Sequence, residues 1–257
     1  VCKSLEKKGL LEIIKKPVIP DIYNMSIKRE FKKITLTLDQ KKSISKICKS
    51  LDQNIFEPFL LHGVTGSGKT EVFIEAAKHA INQDKSVVVL LPEISTTPQI
   101  AGRFKEVFGD IVAVWHSKLS KTSRSWIWKK ICEKDFKIII GARSAIFTPL
   151  KNLGLIIVDE EQESAYKQTS SSLKYHAKEV SLMRGKINNA TVLLSSATPS
   201  IESYYNYKNK KFKYLQLPTR YGKAKLPKVH LVDMLTENKE TDNYNTIFSK
   251  LMLEKID

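Results

Sequence analysis

Gly63-Val64-Thr65-Gly66-Ser67-Gly68-Lys69-Thr70 is a complete G-x-x-x-x-G-K-[ST] string, set between an apolar run at Phe59 to Leu61 and a helical pattern at Lys69 to Asn82. The spacing has a physical reason. Glycines let successive backbone N–H groups curl round a phosphate, and the helix that follows adds the positive end of its dipole. Lys69 then reaches the β- and γ-phosphates of a nucleotide while the Thr70 hydroxyl serves as a Mg2+ ligand. The residues from Gly63 to Thr70 are therefore the candidate nucleotide contacts, and strand, glycine loop and helix in this order predict an α/β fold.

A phosphate loop of this kind needs a metal-organising acid on another strand, and Leu155-Ile156-Ile157-Val158-Asp159-Glu160-Glu161 provides one. Four apolar residues running into acids place Asp159 at the carboxyl end of a strand, where open α/β sheets bind ligands. Asp159 is the candidate Mg2+ ligand beside Thr70, and Glu160 the candidate base that orients an attacking water. Lys69, Asp159 and Glu160 form the candidate catalytic set. A plainer reading exists, a strand followed by the acidic start of a helix, since carboxylates favour helix N-termini.

Outward from these strings, helical and apolar segments alternate. A helical pattern spans Asp39 to Leu51. Strands are expected at Ser86 to Leu91, Ile111 to Trp115, Lys137 to Ile140, Gly154 to Val158 and Ala190 to Leu194, with helices at Gln99 to Phe108, near Arg124 to Glu133, and from about Tyr175 to Arg184. Such alternation implies parallel strands joined by crossover helices. Leu5, Leu10, Leu11, Ile13 and Ile14, among lysines, read as the tail of a small domain over residues 1–20, and a first residue of Val rather than Met leads us to expect an incomplete chain. Pro17, Pro20 and Asp21 mark a linker over 21–37. The α/β segment is expected over 38–234, and residues 235–257, polar with a helical pattern at Ile247 to Ile256, as the start of a further connection.

Composition bounds the remaining classes. The chain has 257 residues, 42% of them hydrophobic and 27% charged, with 43 Lys+Arg against 27 Asp+Glu for a net charge of +16. It can bury a sizeable core, and its longest apolar runs are far shorter than the roughly 20 residues that cross a bilayer. No secretory leader is visible at the start, so the cytoplasm is the expected compartment and no membrane partner is expected. Cys2, Cys48 and Cys132 are too scattered for a CxxC pair, so no zinc ligands are expected in this chain. The basic excess is almost all lysine, which fits either a nucleic-acid surface or lysine drift with added solubility.

Further strings, GVTGSGKTEVF, LLPEISTTPQI, WHSKLS, GARSAIFTPLKNLGLIIVDEEQESAYKQ, KYHAKEV and SSATPSIES, stand in order between Leu38 and about Met234. Together they resemble the motif series of the PriA family of primosomal replication-restart DNA helicases, in superfamily 2. The resemblance implies a RecA-like P-loop NTPase lobe, a mostly parallel sheet flanked by helices, preceded by a partial winged-helix remnant. It implies an ATP-dependent DNA helicase that unwinds 3′ to 5′ at stalled forks and supports primosome assembly, with ATP and Mg2+ as cofactors. Forked and single-stranded DNA, other primosome proteins and single-stranded DNA-binding protein are the implied partners. Zinc is implied only for a family segment outside this chain, and a second RecA lobe is expected outside it too.

Residue by residue, Gln40 is similar to the family's adenine-contacting glutamine. Ser196, Ala197 and Thr198 resemble the motif that couples hydrolysis to strand movement, with Gln162 beside them. Pro92, Glu93, Arg143 and Ser144 look like single-strand contacts, and in the polar loop from Ser164 to Lys174 Tyr166 is expected to stack on a base while Lys167 meets phosphate. A basic-aromatic run from Tyr204 to Leu231 reads either as a DNA track or as core aromatics with a solvated lysine face. Two departures stand out: the family's DEEH is here Asp159-Glu160-Glu161-Gln162, and Ser195 replaces the usual glycine before SAT. The rival reading is a truncated nucleotide- and DNA-binding module without useful hydrolysis, and an isolated lobe is expected to unwind little.

Overall fold

Val87-Val88-Val89-Leu90 and Leu155-Ile156-Ile157-Val158 show no polar alternation, the pattern of strands covered on both faces. The computed structural model, which describes residues 35–92, 97–169, 173–220, 229–241 and 247–256, places them in the middle of a sheet. The strands are β1 (Pro58–Gly63), β2 (Ser86–Leu90), β3 (Val112–Trp115), β4 (Ile138–Gly141), β5 (Leu153–Val158), β6 (Lys167–Gln168), β7 (Tyr175–His176), β8 (Thr191–Ser196) and β9 (Lys213–Leu217). Seven form one sheet in the order β3-β4-β2-β5-β8-β1-β9, and every pairing in it is parallel. β6 and β7 make a separate antiparallel pair.

The helices are α1 (Leu38–Gln53), α2 (Lys69–Asn82), α3 (Thr97–Phe108), α4 (Lys121–Cys132), α5 (Ala177–Asn188) and α6 (Ile201–Lys208). They cover both faces. Ile47 and Leu51 of α1, Val72 and Phe73 of α2 and Phe104 of α3 pack with Phe59, Val87 and Ile157. On the other face Ile127 of α4 and Ala177 of α5 pack with Leu60, Val88 and Ile156. Neighbouring residues along each strand thus feed opposite layers, as the two-residue side-chain period requires. Helix α1 starts where Thr37 and Gln40 form a reciprocal capping box and stops at Asn54, in the left-handed conformation at φ 51°.

The expected α/β alternation is present, with boundaries within four residues of those expected. The short pair β6 and β7 was not anticipated, nor were α6 and β9, which fall within the basic-aromatic run. Tyr207 of α6 stacks on Tyr214 of β9 at 4.4 Å between ring centroids, and Phe212 is 9% exposed, so these aromatics pack against the sheet as the core reading required. Tyr221, Lys223, Lys225 and Lys228 lie outside the described residues, as do the expected winged-helix remnant and the part of the expected linker before residue 35. The compact unit that carries the sheet ends at Tyr221. Residues 222–257 form a second unit. It contains α7 (Met234–Thr241), capped by Asp233, which accepts from Leu235 N at 3.0 Å, and α8 (Lys250–Ile256).

Gly141, at the end of β4, is fixed by crowding. A Cβ there would stand 2.0 Å from the Trp115 carbonyl oxygen on β3 and 3.0 Å from Ala145 Cβ. Backbone in a paired strand cannot yield as a side chain can, so Gly141→Ala should cost about 2 kcal/mol. The check is a lower urea midpoint with an unchanged denaturant slope.

Candidate nucleotide site

The carboxyl ends of β1, β5 and β8 come together at the turn 64–68. Gly66 and Gly68 both have φ 78°, left-handed backbone that costs glycine nothing. Helix α2 begins directly after Gly68, so its first-turn N–H groups, which lack intrahelical acceptors, face the same end of the sheet as the acids. Val64 N donates to Leu217 O at 3.2 Å, which ties the start of the loop to β9. Beneath the loop Gln40 is fully buried: its Nε2 donates to Ser67 O at 2.9 Å while its Oε1 accepts from Thr37 N at 2.8 Å. Both ends of the amide are committed to backbone. Gln40, expected to contact adenine, is placed here as a brace for the phosphate loop.

Lys69 Nζ donates to Gly63 O at 3.1 Å and lies 3.4 Å from Glu160 Oε1. The loop, Lys69, Thr70, Asp159 and Glu160 line one cavity of about 710 Å³, closed on the far side by Gln99 and Arg103 of α3. Arg103 Nη2 donates to Glu71 Oε1, which joins α3 to the first turn of α2. Asp159 N donates to Leu90 O at 3.0 Å, and Glu160 N to Asp159 Oδ1 at 3.1 Å. Burial pushes the Asp159 carboxyl up to about 6; the neighbouring Glu160 charge adds to the rise and Lys69 opposes it. Glu160 has φ 45°, the left-handed region, a conformation that costs a non-glycine residue about 1 kcal/mol and turns its carboxylate off the strand axis.

Oxygen donors of this kind, a hydroxyl and a carboxylate beside a phosphate cradle, suit Mg2+, which keeps several waters and takes few protein ligands. The residues present fit such an ion: an aspartate raised by desolvation and by a like charge is one that a cation would relieve. Among the described residues no group of three or more His, Cys, Asp or Glu side chains gathers as a metal site.

The residues expected to couple and to touch DNA are placed as follows. Gln162 Nε2 donates to Glu160 Oε2 at 3.0 Å, and its buried Oε1 has no partner. Thr198 N donates to Ser196 Oγ at 2.8 Å, and Ala197 turns the chain between them. Arg143 donates to the carbonyls of Ala165 and Lys167, 3.1 Å each, so it holds the polar loop, while Ser144 and Lys167 are exposed. Pro92 lines the cavity, and Glu93 lies outside the described residues. Tyr166 requires a correction. It is 0% exposed, and its hydroxyl donates to Asp159 O at 2.6 Å and Leu90 O at 3.0 Å. A ring sealed in the core with its hydroxyl pinned to two strand ends cannot stack on a base.

Sequence reasoning missed Glu161. It is 1% exposed, and its carboxylate accepts from Lys178 Nζ, Ser200 N, Ser200 Oγ and Ser203 Oγ at 3.0, 2.7, 3.0 and 2.8 Å. Its own N–H donates to Ser195 O at 3.0 Å. The only signal was a third acid following Asp159 and Glu160; nothing marked Lys178 as a buried cation.

The DEAD/DEAH box helicase family matches residues 37–206. Replication restart protein PriA of Chlamydia pneumoniae is 42% identical over 98% of the chain and 34% of its own length, and that of Bacillus subtilis (strain 168) 41% identical over 99% and 31%. The chain thus spans about a third of the length of these curated relatives. Among solved structures, RecG bound to a three-way DNA junction superposes with a TM-score of 0.60 at 22% identity, covering 81% of this chain and 27% of that one. A hypothetical ATP-dependent RNA helicase from Sulfolobus tokodaii does so with a TM-score of 0.52 at 16% identity, covering 71% and 53%. The sheet is a RecA-like α/β lobe.

Proposed function

From a chain that belongs to the DEAD/DEAH box helicases and within them is of the PriA type, we propose the ATP-binding lobe of an ATP-dependent 3′ to 5′ DNA helicase that acts in restart of stalled replication forks and primosome assembly. The observation that carries the reading is the convergence of Lys69, Thr70, Asp159 and Glu160 on one cavity at the carboxyl ends of the central strands. The loop N–H groups and Lys69 hold the β- and γ-phosphates, and Glu160 orients water for attack. Thr70 and Asp159 would hold Mg2+, which would supply charge neutralisation on the phosphate oxygens. Gln162, hydrogen-bonded to Glu160, keeps that carboxylate aimed, and the Ser196-Ala197-Thr198 segment carries the resulting shift away from the site.

DNA is the proposed polymer. RecG, the similar fold, was solved on a DNA junction; in this chain Arg143 holds the polar loop on which Lys167 is exposed, and Ser144 is exposed next to Arg143. Primosome proteins and single-stranded DNA-binding protein are proposed partners of the whole protein, and the cytoplasm its compartment. Among the described residues no helix is long and apolar enough to cross a membrane.

Phosphate release from Mg-ATP, measured with and without single-stranded DNA, tests the reading. DNA should stimulate turnover, and Glu160→Gln should remove about a hundredfold of it. No turnover at any DNA concentration favours the alternative, a nucleotide- and DNA-binding module without hydrolysis. Because phosphate contacts release counterions, DNA affinity should fall about tenfold between 50 and 200 mM salt if two contacts are made. Fluorescence anisotropy that stays flat across that range would remove phosphate tracking from the proposal.

A further inference from the structure

A buried carboxylate with four donors is held from several directions. Glu161 follows Asp159 and Glu160 directly, so any displacement of the acid pair moves its backbone. Its side chain binds Ser200 N, Ser200 Oγ and Ser203 Oγ, the first turn of α6, which begins just past Ser196-Ala197-Thr198. It also binds Lys178 in the first turn of α5, the helix that leaves the polar loop, and Lys178 Nζ reaches on to Ser200 Oγ at 3.2 Å. The acid strand, the start of α6 just past the SAT segment and the exit of the polar loop therefore share one anionic centre away from solvent. Gln162, the residue first expected to couple, turns the other way, toward Glu160.

We infer that Glu161 is a positioning residue that transmits nucleotide occupancy at Asp159 and Glu160 to the SAT segment and to the base of α5. The inference rests on the nucleotide reading of the cavity. The chemistry favours this residue for two reasons. A carboxylate accepts from a backbone N–H, two hydroxyls and an ammonium at once, which no neutral side chain of its size does. Removal from water also makes those bonds stiff, since the competing solvent is excluded. A shift of the acid pair thus drags the donors with it instead of exchanging them for water.

Hydrogen exchange on the full chain, with and without a non-hydrolysable Mg-ATP analogue, reads the link without requiring turnover. In the wild type the analogue should slow exchange in residues 63–70 and, by roughly tenfold, in residues 198–203. In the paired variant Glu161→Leu/Lys178→Met, which removes both charges together, protection of 63–70 should persist and the change at 198–203 should vanish. Glu161→Gln, which keeps the volume and one acceptor oxygen, should retain at least half of it. A merely structural Glu161 would speed exchange at 198–203 equally with and without nucleotide, leaving the nucleotide-dependent ratio intact in the paired variant, and that result overturns the inference. So does a wild type protected at 63–70 but unchanged at 198–203. Absence of protection at 63–70 itself would overturn the nucleotide reading first, and this inference with it.

Discussion

Lys69→Ala weakens Mg-ATP binding by about a thousandfold while the lobe stays folded. Lys69 is the cation that stands between the phosphate loop and Glu160, 12% exposed and 3.4 Å from the carboxylate. Truncating one partner of a desolvated charge contact costs about 4 kcal/mol, or close to a thousandfold. Without Lys69 the cavity keeps Asp159 and Glu160, and their negative charges would meet a triphosphate with one direct cation fewer to offset them. The side chain lies on the first turn of α2 at the cavity and contributes no apolar surface to the core, so far-ultraviolet circular dichroism and the melting temperature should hardly change. Titration with a fluorescent ATP analogue is the measurement. Equal affinity in variant and wild type would mean that Gly63 to Thr70 does not cradle phosphate.

Lys178→Met alone lowers the melting temperature by about 10 °C, and adding Glu161→Leu recovers only part of the loss. The ion pair of Lys178 and Glu161 is almost sealed from water, its two side chains 9% and 0% exposed. Removing the cation strands a carboxylate in the interior, a loss of about 3 to 5 kcal/mol, whereas replacing both partners by apolar groups removes that charge but leaves the Ser200 and Ser203 donors without their acceptor. For a unit of this size each kcal/mol moves the midpoint by roughly 2 to 4 °C. Ser200 and Ser203 still donate to Glu161 in the single variant, which places the expected shift toward the lower end of that range. Differential scanning fluorimetry of the two single variants and the pair decides it. A single variant no less stable than the pair would show that the pair is not what stabilises this corner of the fold.

The parts legible in the sequence were those with a local cause. The run Leu155 to Val158 could only be a covered strand, and Gly66 and Gly68 sit where the backbone needs a positive φ. From these the sheet, the order of helix and strand, and the meeting of Lys69 with Glu160 followed. What was not legible depends on partners distant in the chain. Lys178 looks like any other lysine on an amphipathic helix until Glu161, 17 residues away, is seen opposite it. Tyr166 reads as a loop aromatic because its two acceptors, Leu90 and Asp159, end two different strands. β9 escaped notice because its fit is supplied by β1, which it borders from Phe59 to Gly63, and because it sits in a lysine-rich stretch of chain.

The capping box at Thr37 and Gln40 has one further consequence. A helix start is usually a local matter, about 1 kcal/mol of backbone satisfaction. Here the same glutamine that closes the box on Thr37 N also holds Ser67 O, 27 residues along the chain. The first turn of α1 and the curvature of the anion cradle are therefore one mechanical joint. Sequence drift at Thr37, a position outside the cavity lining, is translated directly into how tightly the cradle is sprung.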